Sequence, residues 1–230
     1  MGYKELTSRF QQLESRLQTL APRLSQYRGQ VSQAQSAVFA AQNAVDAARN
    51  TANAAQTEVS ALQAEYSRYS GYSSRNLDEE YAQKLEAIQQ ELGRRLNAAQ
   101  SRLSAARSQL GTAQSRLQAA QSQLSSARGQ LAQLESALRD LESGYGVVKA
   151  QAERDIPKLE AAASKVNVLM ENKYGSGLSE AKAQIRTQWA GTQKLSRYCD
   201  QRISQIRGAL NSGSGDDDQK IRGRDEGRSR

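Results

Sequence analysis

From Leu96 to Leu141 leucine returns every seventh residue, at Leu96, Leu103, Leu110, Leu117, Leu124, Leu131 and Leu138. Three residues after each leucine comes Ala99, Ala106, Ala113, Ala120 or Ala127, and then Leu134 or Leu141. An α-helix turns once in about 3.6 residues, so a 4-3 spacing lines these side chains along one narrow stripe. Leucine at a and alanine at d is the seam of a coiled coil. Such a stripe must be covered, so the rest of the chain is read for the helix that covers it.

Residues 3 to 70 carry the same spacing without a slip. The a positions are Phe10, Leu17, Leu24, Val31, Val38, Val45, Ala52, Val59 and Tyr66. The d positions are Leu6, Leu13, Leu20, Tyr27, Ala34, Ala41, Ala48, Ala55, Leu62 and Tyr69. This run far exceeds the roughly three to four heptads that identify a coiled coil. Pro22 falls on the outer face. It removes one helix hydrogen bond, which predicts a kink, a broken turn, or a new helix beginning there.

Residues 71 to 76 break the pattern. Gly71 suits a helix C-terminus, and Asn76 with Glu79 three positions later suits the next N-terminus. A short turn makes antiparallel neighbours. The predicted fold is therefore all-α, with a long antiparallel coiled-coil helical hairpin over residues 1–143. Folding about Tyr72 sets Val31 against Ala113 and Ala48 against Leu96, so each layer pairs a small residue with a larger one. A register one heptad away, centred between Arg75 and Asn76, satisfies the same rule.

Residues 144–211 read as shorter C-terminal helices. Ser143-Gly144-Tyr145-Gly146 predicts an interruption, Asp155-Ile156-Pro157 a second one, and Tyr174-Gly175-Ser176-Gly177 a third. The last helix runs from about Leu178 to Leu210, with a seam of Leu178, Ile185, Trp189, Cys199, Ile203, Ile206 and Leu210. Residues 212–230 are charged, lack aromatic residues, and read as a disordered tail.

Composition bounds the chemistry. The chain has no histidine and one cysteine, Cys199, which excludes an internal disulfide and the usual general base. No Gly-rich phosphate loop is present, so no catalytic, cofactor-binding or metal-binding residue is assigned, and no small-molecule substrate is expected. No apolar run approaches the roughly 18 residues of a membrane span, and Met1 to Leu6 lack a signal-peptide core. The expectation is a soluble cytoplasmic protein, or one held at a membrane surface.

Net charge is +8. No acid occurs between Glu14 and Asp46, or between Glu91 and Glu135. These stretches hold Arg16, Arg23, Arg28, Arg94, Arg95, Arg102, Arg107, Arg116 and Arg128. In the predicted registers they lie side by side, as a belt suited to phosphates of a membrane or nucleic acid, or simply as a solvated face. The same scarcity of carboxylates predicts tolerance of low pH in the arms. Tyr66, Tyr69, Tyr72 and, separately, Trp189 are candidate contact residues; Tyr66 and Tyr69 also continue the seam, and Trp189 suits a core anchor. Two functions follow as expectations. One is a non-enzymatic scaffold that binds itself or another protein. The other is a peripheral binder of anionic surfaces through the arginines.

Overall fold

A computed structural model describes residues 2–72, 78–171 and 177–212. They form three α-helices and no strand: α1 (Tyr3–Ser70), α2 (Glu79–Glu171) and α3 (Gly177–Asn211). The long pair, α1 and α2, pack against each other. No helix among the described residues is long and apolar enough to cross a membrane. The chain divides into two compact units. One comprises Met1–Gly29 with Gly129–Arg230, the other Gln30–Arg128. The predicted cap at Asn76, most of the glycine loop before Gly177, and the tail from 213 lie outside the described residues.

Local signals account for the helix ends that are described. The carbonyl of Gly2 accepts the N–H groups of Glu5 and Leu6, and that of Asp78 accepts the N–H of Ala82. Glu5 in the first turn of α1, and Glu79 and Glu80 in that of α2, meet the positive end of each helix dipole. At the far end of α1 the Tyr72 N–H turns back to the Tyr69 carbonyl.

Three predicted breaks do not occur. Pro22 lies inside α1 and Pro157 inside α2. Both are exposed, and so are Gln18 and Glu153, whose carbonyls lose their donors four residues on. Solvent can take the donor's place on such a face. The run Ser143 to Gly146 is also continuous helix. The seam passes straight through it as Leu138, Leu141, Tyr145, Val148 and Ala152, each of them buried. That burial outweighs the roughly 1 kcal/mol of helix propensity each glycine forfeits. Gly144 has a packing role: a Cβ there would sit 2.8 Å from Leu13 Cδ2.

In the unit Gln30–Arg128, α1 and α2 run antiparallel. Gln89 Nε2 donates to the Tyr69 carbonyl (2.8 Å), Arg102 Nη1 to Glu58 Oε1 (3.1 Å) and Arg107 Nη2 to Gln56 Oε1 (2.8 Å). Val59, Leu62, Leu92, Ala99 and Leu103 form its apolar cluster, with Tyr66 and Tyr69 packed on it. The register differs from both sequence readings, which place Glu58 opposite Glu86 or Gly93. A seven-residue repeat makes registers one heptad apart nearly equivalent, and contacts off the repeat decide between them. Here Tyr66 lies against Gly93, a large side chain over the smallest.

The other unit is a three-helix bundle. α3 runs parallel to α1, with Tyr3 against Gly191, Glu14 bonded to Arg202, and Arg28 bonded to the Leu210 carbonyl. It runs antiparallel to α2, through Trp189 with Glu160, Lys149 with Asp200, and Arg207 with Glu142. The core is built by Leu6, Leu13, Leu24, Leu134, Leu138, Leu141, Tyr145, Val148, Leu195, Cys199 and Ile206.

The glycines give a test of this packing. A Cβ at Gly111 or Gly129 would meet nothing within 4 Å. Gly111→Ala and Gly129→Ala should therefore each stabilise the protein by about 0.5–1 kcal/mol, seen as a higher thermal midpoint by circular dichroism. Gly144→Ala should forfeit that gain because Leu13 must move.

Candidate functional site

The most elaborate polar arrangement lies in the three-helix bundle. Glu14 follows the seam residue Leu13 on α1 and faces α3. The Arg202 guanidinium grips it with two donors, Nε to Oε1 at 2.7 Å and Nη2 to Oε2 at 2.8 Å. Tyr145, fully buried on α2, donates its hydroxyl to Glu14 Oε1 at 2.8 Å. Phe10 packs edge-on against the Tyr145 ring, with centroids 5.7 Å apart. One carboxylate thus ties all three helices together. A fork of this kind adds geometric definition to the attraction of opposite charges.

Burial, and then the hydrogen bond and charge of Glu14, push the Tyr145 hydroxyl well above its ordinary range. The bond to Glu14 raises Arg202 further. Burial also pushes the Cys199 thiol up to about 12, with the charges of Asp200 and Glu14 adding to it. The thiol therefore stays protonated at neutral pH and lacks the nucleophile's thiolate form.

Beside this node runs a groove between α1 and α3 with a volume of 630 Å³. Leu17, Ala21, Pro22, Leu24, Leu138 and Ile206 supply its apolar lining, and Glu14 and Arg202 stand at its polar edge. A groove so lined suits apolar contact better than chemistry, because its carboxylate is already committed to Arg202 and Tyr145. Among the described residues no group of three or more His, Cys, Asp or Glu could hold a metal ion.

The sequence-derived arginines do not behave as a set. Arg28 bonds to the Leu210 carbonyl (3.1 Å) and Ser212 Oγ (3.4 Å) and lies 3.9 Å from Glu135, so it caps the end of α3. Arg94 lies 3.7 Å from Glu91, Arg102 is paired with Glu58, and Arg107 with Gln56. Arg16, Arg23, Arg95, Arg116 and Arg128 are exposed, with no carboxylate partner among the described residues. The register is the cause: it slides Glu58 up to Arg102 and Glu135 up to Arg28.

The aromatic candidates also separate. Tyr66 and Tyr69 are half-buried on the seam and Tyr72 is exposed. Trp189 is half-buried and donates Nε1 to Glu160 Oε1 at 3.2 Å.

Sequence reasoning missed the Glu14–Arg202–Tyr145 node. A signal existed, since Glu14 occupies the e position, where interhelical charge pairs form. The expectation of acid tolerance is revised as well. Glu14, Glu142 and Asp200 each pair with a cation on another helix. The Asp155 carboxyl is held below its ordinary range by the Gln151 amide first and Lys158 next.

Two predictions follow from these groups. Glu14→Ala leaves the buried Tyr145 hydroxyl without its acceptor and should cost about 1–3 kcal/mol in chemical denaturation, with Tyr145→Phe recovering part of the loss. Alkali should weaken the fold. The unfolded chain releases the Cys199 and Tyr145 protons near 9.0 and 10.0, whereas the folded chain holds them to higher pH. Their contribution is complete below those values and is lost as pH rises toward about 12. Denaturation midpoints measured from neutral to strongly alkaline pH should fall across that window, less steeply in Cys199→Ala. On the acid side, Asp155 contributes at neutral pH and loses its contribution as pH falls through its lowered value.

No protein-family model, curated protein or solved structure matches the chain.

Proposed function

We propose that the chain is a non-enzymatic scaffold protein whose α1 and α2 form a long antiparallel coiled-coil hairpin with Leu/Ala heptads, and that it acts by binding itself or a protein partner. The observation that carries this reading is how the seam is spent. Along α1 every a and d position from Leu6 to Tyr69 is buried or half-buried, and along α2 so is every one from Leu96 to Leu141. The outward positions are mostly Gln, Ser, Arg and Ala. Such a pair of helices holds a shape and offers surfaces, and the apolar groove beside Pro22 is one of them.

A second reading, binding to anionic surfaces, is favoured by one observation. Arg95, Arg116 and Arg128 are exposed on α2 without a carboxylate partner among the described residues. It is the weaker reading, because Arg102 and Arg107 are already engaged. Sedimentation of the purified protein, alone and with anionic vesicles at low and high salt, separates the two. Pelleting or a concentration-dependent mass increase without vesicles supports the scaffold. Salt-sensitive pelleting only with vesicles, lost on changing Arg95, Arg116 and Arg128 to Gln, supports the second reading.

A further inference from the structure

The groove between α1 and α3 is a gap in the packing, and the residues along it account for the gap. Ala21 on α1 and Ala209 on α3 line it and bring only methyl groups to it. Its floor is core: Leu24, Leu138 and Ile206 also line it and are only 5%, 2% and 2% exposed. Protein interiors are close-packed, so a space of 630 Å³ set against three buried side chains stands out. It falls within the roughly 300–1,000 Å³ of small-molecule sites. On α1 it runs from Glu14 to Leu24, about 15 Å of helix, and on α3 from Arg202 to Ala209, about 10 Å.

The polar groups narrow what fills it. Its charges are committed to each other: Arg202 Nε and Nη2 bond to the two Glu14 oxygens, and Nη1 bonds to Gln205 Oε1. An anionic head has to displace Glu14, and a cationic head Arg202, and either leaves a part-buried charge without its partner. Neutral hydrogen bonding is on offer instead. Pro22 has no N–H, so the Gln18 carbonyl lacks its helical donor, and Gln18, Ala21 and Pro22 all line the groove. The wall therefore carries a backbone acceptor open to a ligand hydroxyl or amide N–H. The shape selects a chain over a helix. A helix is about 10 Å across, and it cannot reach floor residues as recessed as Leu138 and Ile206, whereas a single hydrocarbon chain can.

We infer that this groove binds a small uncharged amphiphile, its apolar chain against Leu24, Leu138 and Ile206 and its hydroxyl or amide head donating to the Gln18 carbonyl. The inference goes beyond the scaffold reading and does not depend on it. Burial of the chain supplies the affinity, and the head fixes which way the ligand lies. Pro22 then does more than sit harmlessly on an outer face. Any other residue there supplies the N–H that closes off the acceptor.

The test is equilibrium dialysis of the full chain against four ligands that share a decyl tail: decanol, decyl methyl ether, decanoate and decylammonium, each kept below the concentration at which it forms micelles or droplets. The expected result is saturable binding of decanol. The ether, which cannot donate, should bind about three- to tenfold more weakly, and both ions should bind more weakly than decanol. Pro22→Ala should bring decanol and the ether to the same affinity. Ala209→Phe should abolish decanol binding with helicity unchanged by circular dichroism, and Ala21→Phe, from the opposite wall, takes its place should helicity fall. Ala105→Phe, an exposed change on α2 in the other unit, should leave binding intact. Absence of saturable decanol binding, or binding that neither Ala209→Phe nor Ala21→Phe reduces, overturns the site. An ion that binds as tightly as decanol, or a gap between decanol and the ether that persists in Pro22→Ala, overturns the uncharged donor head.

Discussion

Alanine in the seam sets how closely α1 and α2 approach. In the unit Gln30–Arg128, Ala52, Ala99, Ala106, Ala113 and Ala120 are all buried, and each brings only a methyl group to the contact. Side chains this small let two backbones approach closely. Little area is buried per residue, so each layer contributes modestly, and stability has to accumulate along the length of the helices. That is why 37% hydrophobic residues suffice for a chain of 230. It is also why nearly every outward position can be Gln, Ser or Arg without loss.

The three-helix bundle works differently. Leucines, Tyr145 and Val148 bury whole side chains there, each contributing on the order of 2 kcal/mol. The polar contacts around α3 add definition more than energy. The pairs Arg207–Glu142 and Lys149–Asp200 are partly exposed, and pairs open to solvent contribute from about zero to 1 kcal/mol. The Glu14 node is the exception, because the Tyr145 hydroxyl has no access to water and depends on that carboxylate. Together these contacts fix where α3 sits along α1, a position that an apolar stripe repeating every turn or two would leave open.

This division explains what could be read from the residues alone. The helices were legible, because period is a local property of sequence; the inward face of α3 was only partly so, since Thr192, Leu195 and Ser196 are buried there and were not named. Register was not legible. Two runs with the same repeat match equally well at steps of seven, and the choice falls to Tyr66 over Gly93 and Gln89 reaching the Tyr69 carbonyl. The same register brings Glu58 to Arg102 and Glu135 to Arg28, pairings that the spacing of the arginines alone did not show. The helix breaks at Ser143–Gly146 and Pro157 were misread by weighting local propensity over a periodic pattern that ran on through both. Leu138, Leu141, Tyr145, Val148 and Ala152 hold the 3-4 spacing across two glycines, and that spacing was the stronger signal.

A glycine in a long helix therefore has to be read against the seam on either side of it. Gly144 faces Leu13, whose side chain would have to shift to admit a methyl group there. Gly111 and Gly129 face nothing, and their replacement by alanine would disturb no contact. The difference is position on the repeat. Gly144 lies one residue before Tyr145, on the side of α2 that meets α1, whereas the other two project outward. The same logic applies to the proline. Pro22 stands on an outer face where a missing N–H is cheap, yet it lines the apolar groove between α1 and α3. A residue tolerated by the helix for its outward position thereby becomes part of a surface.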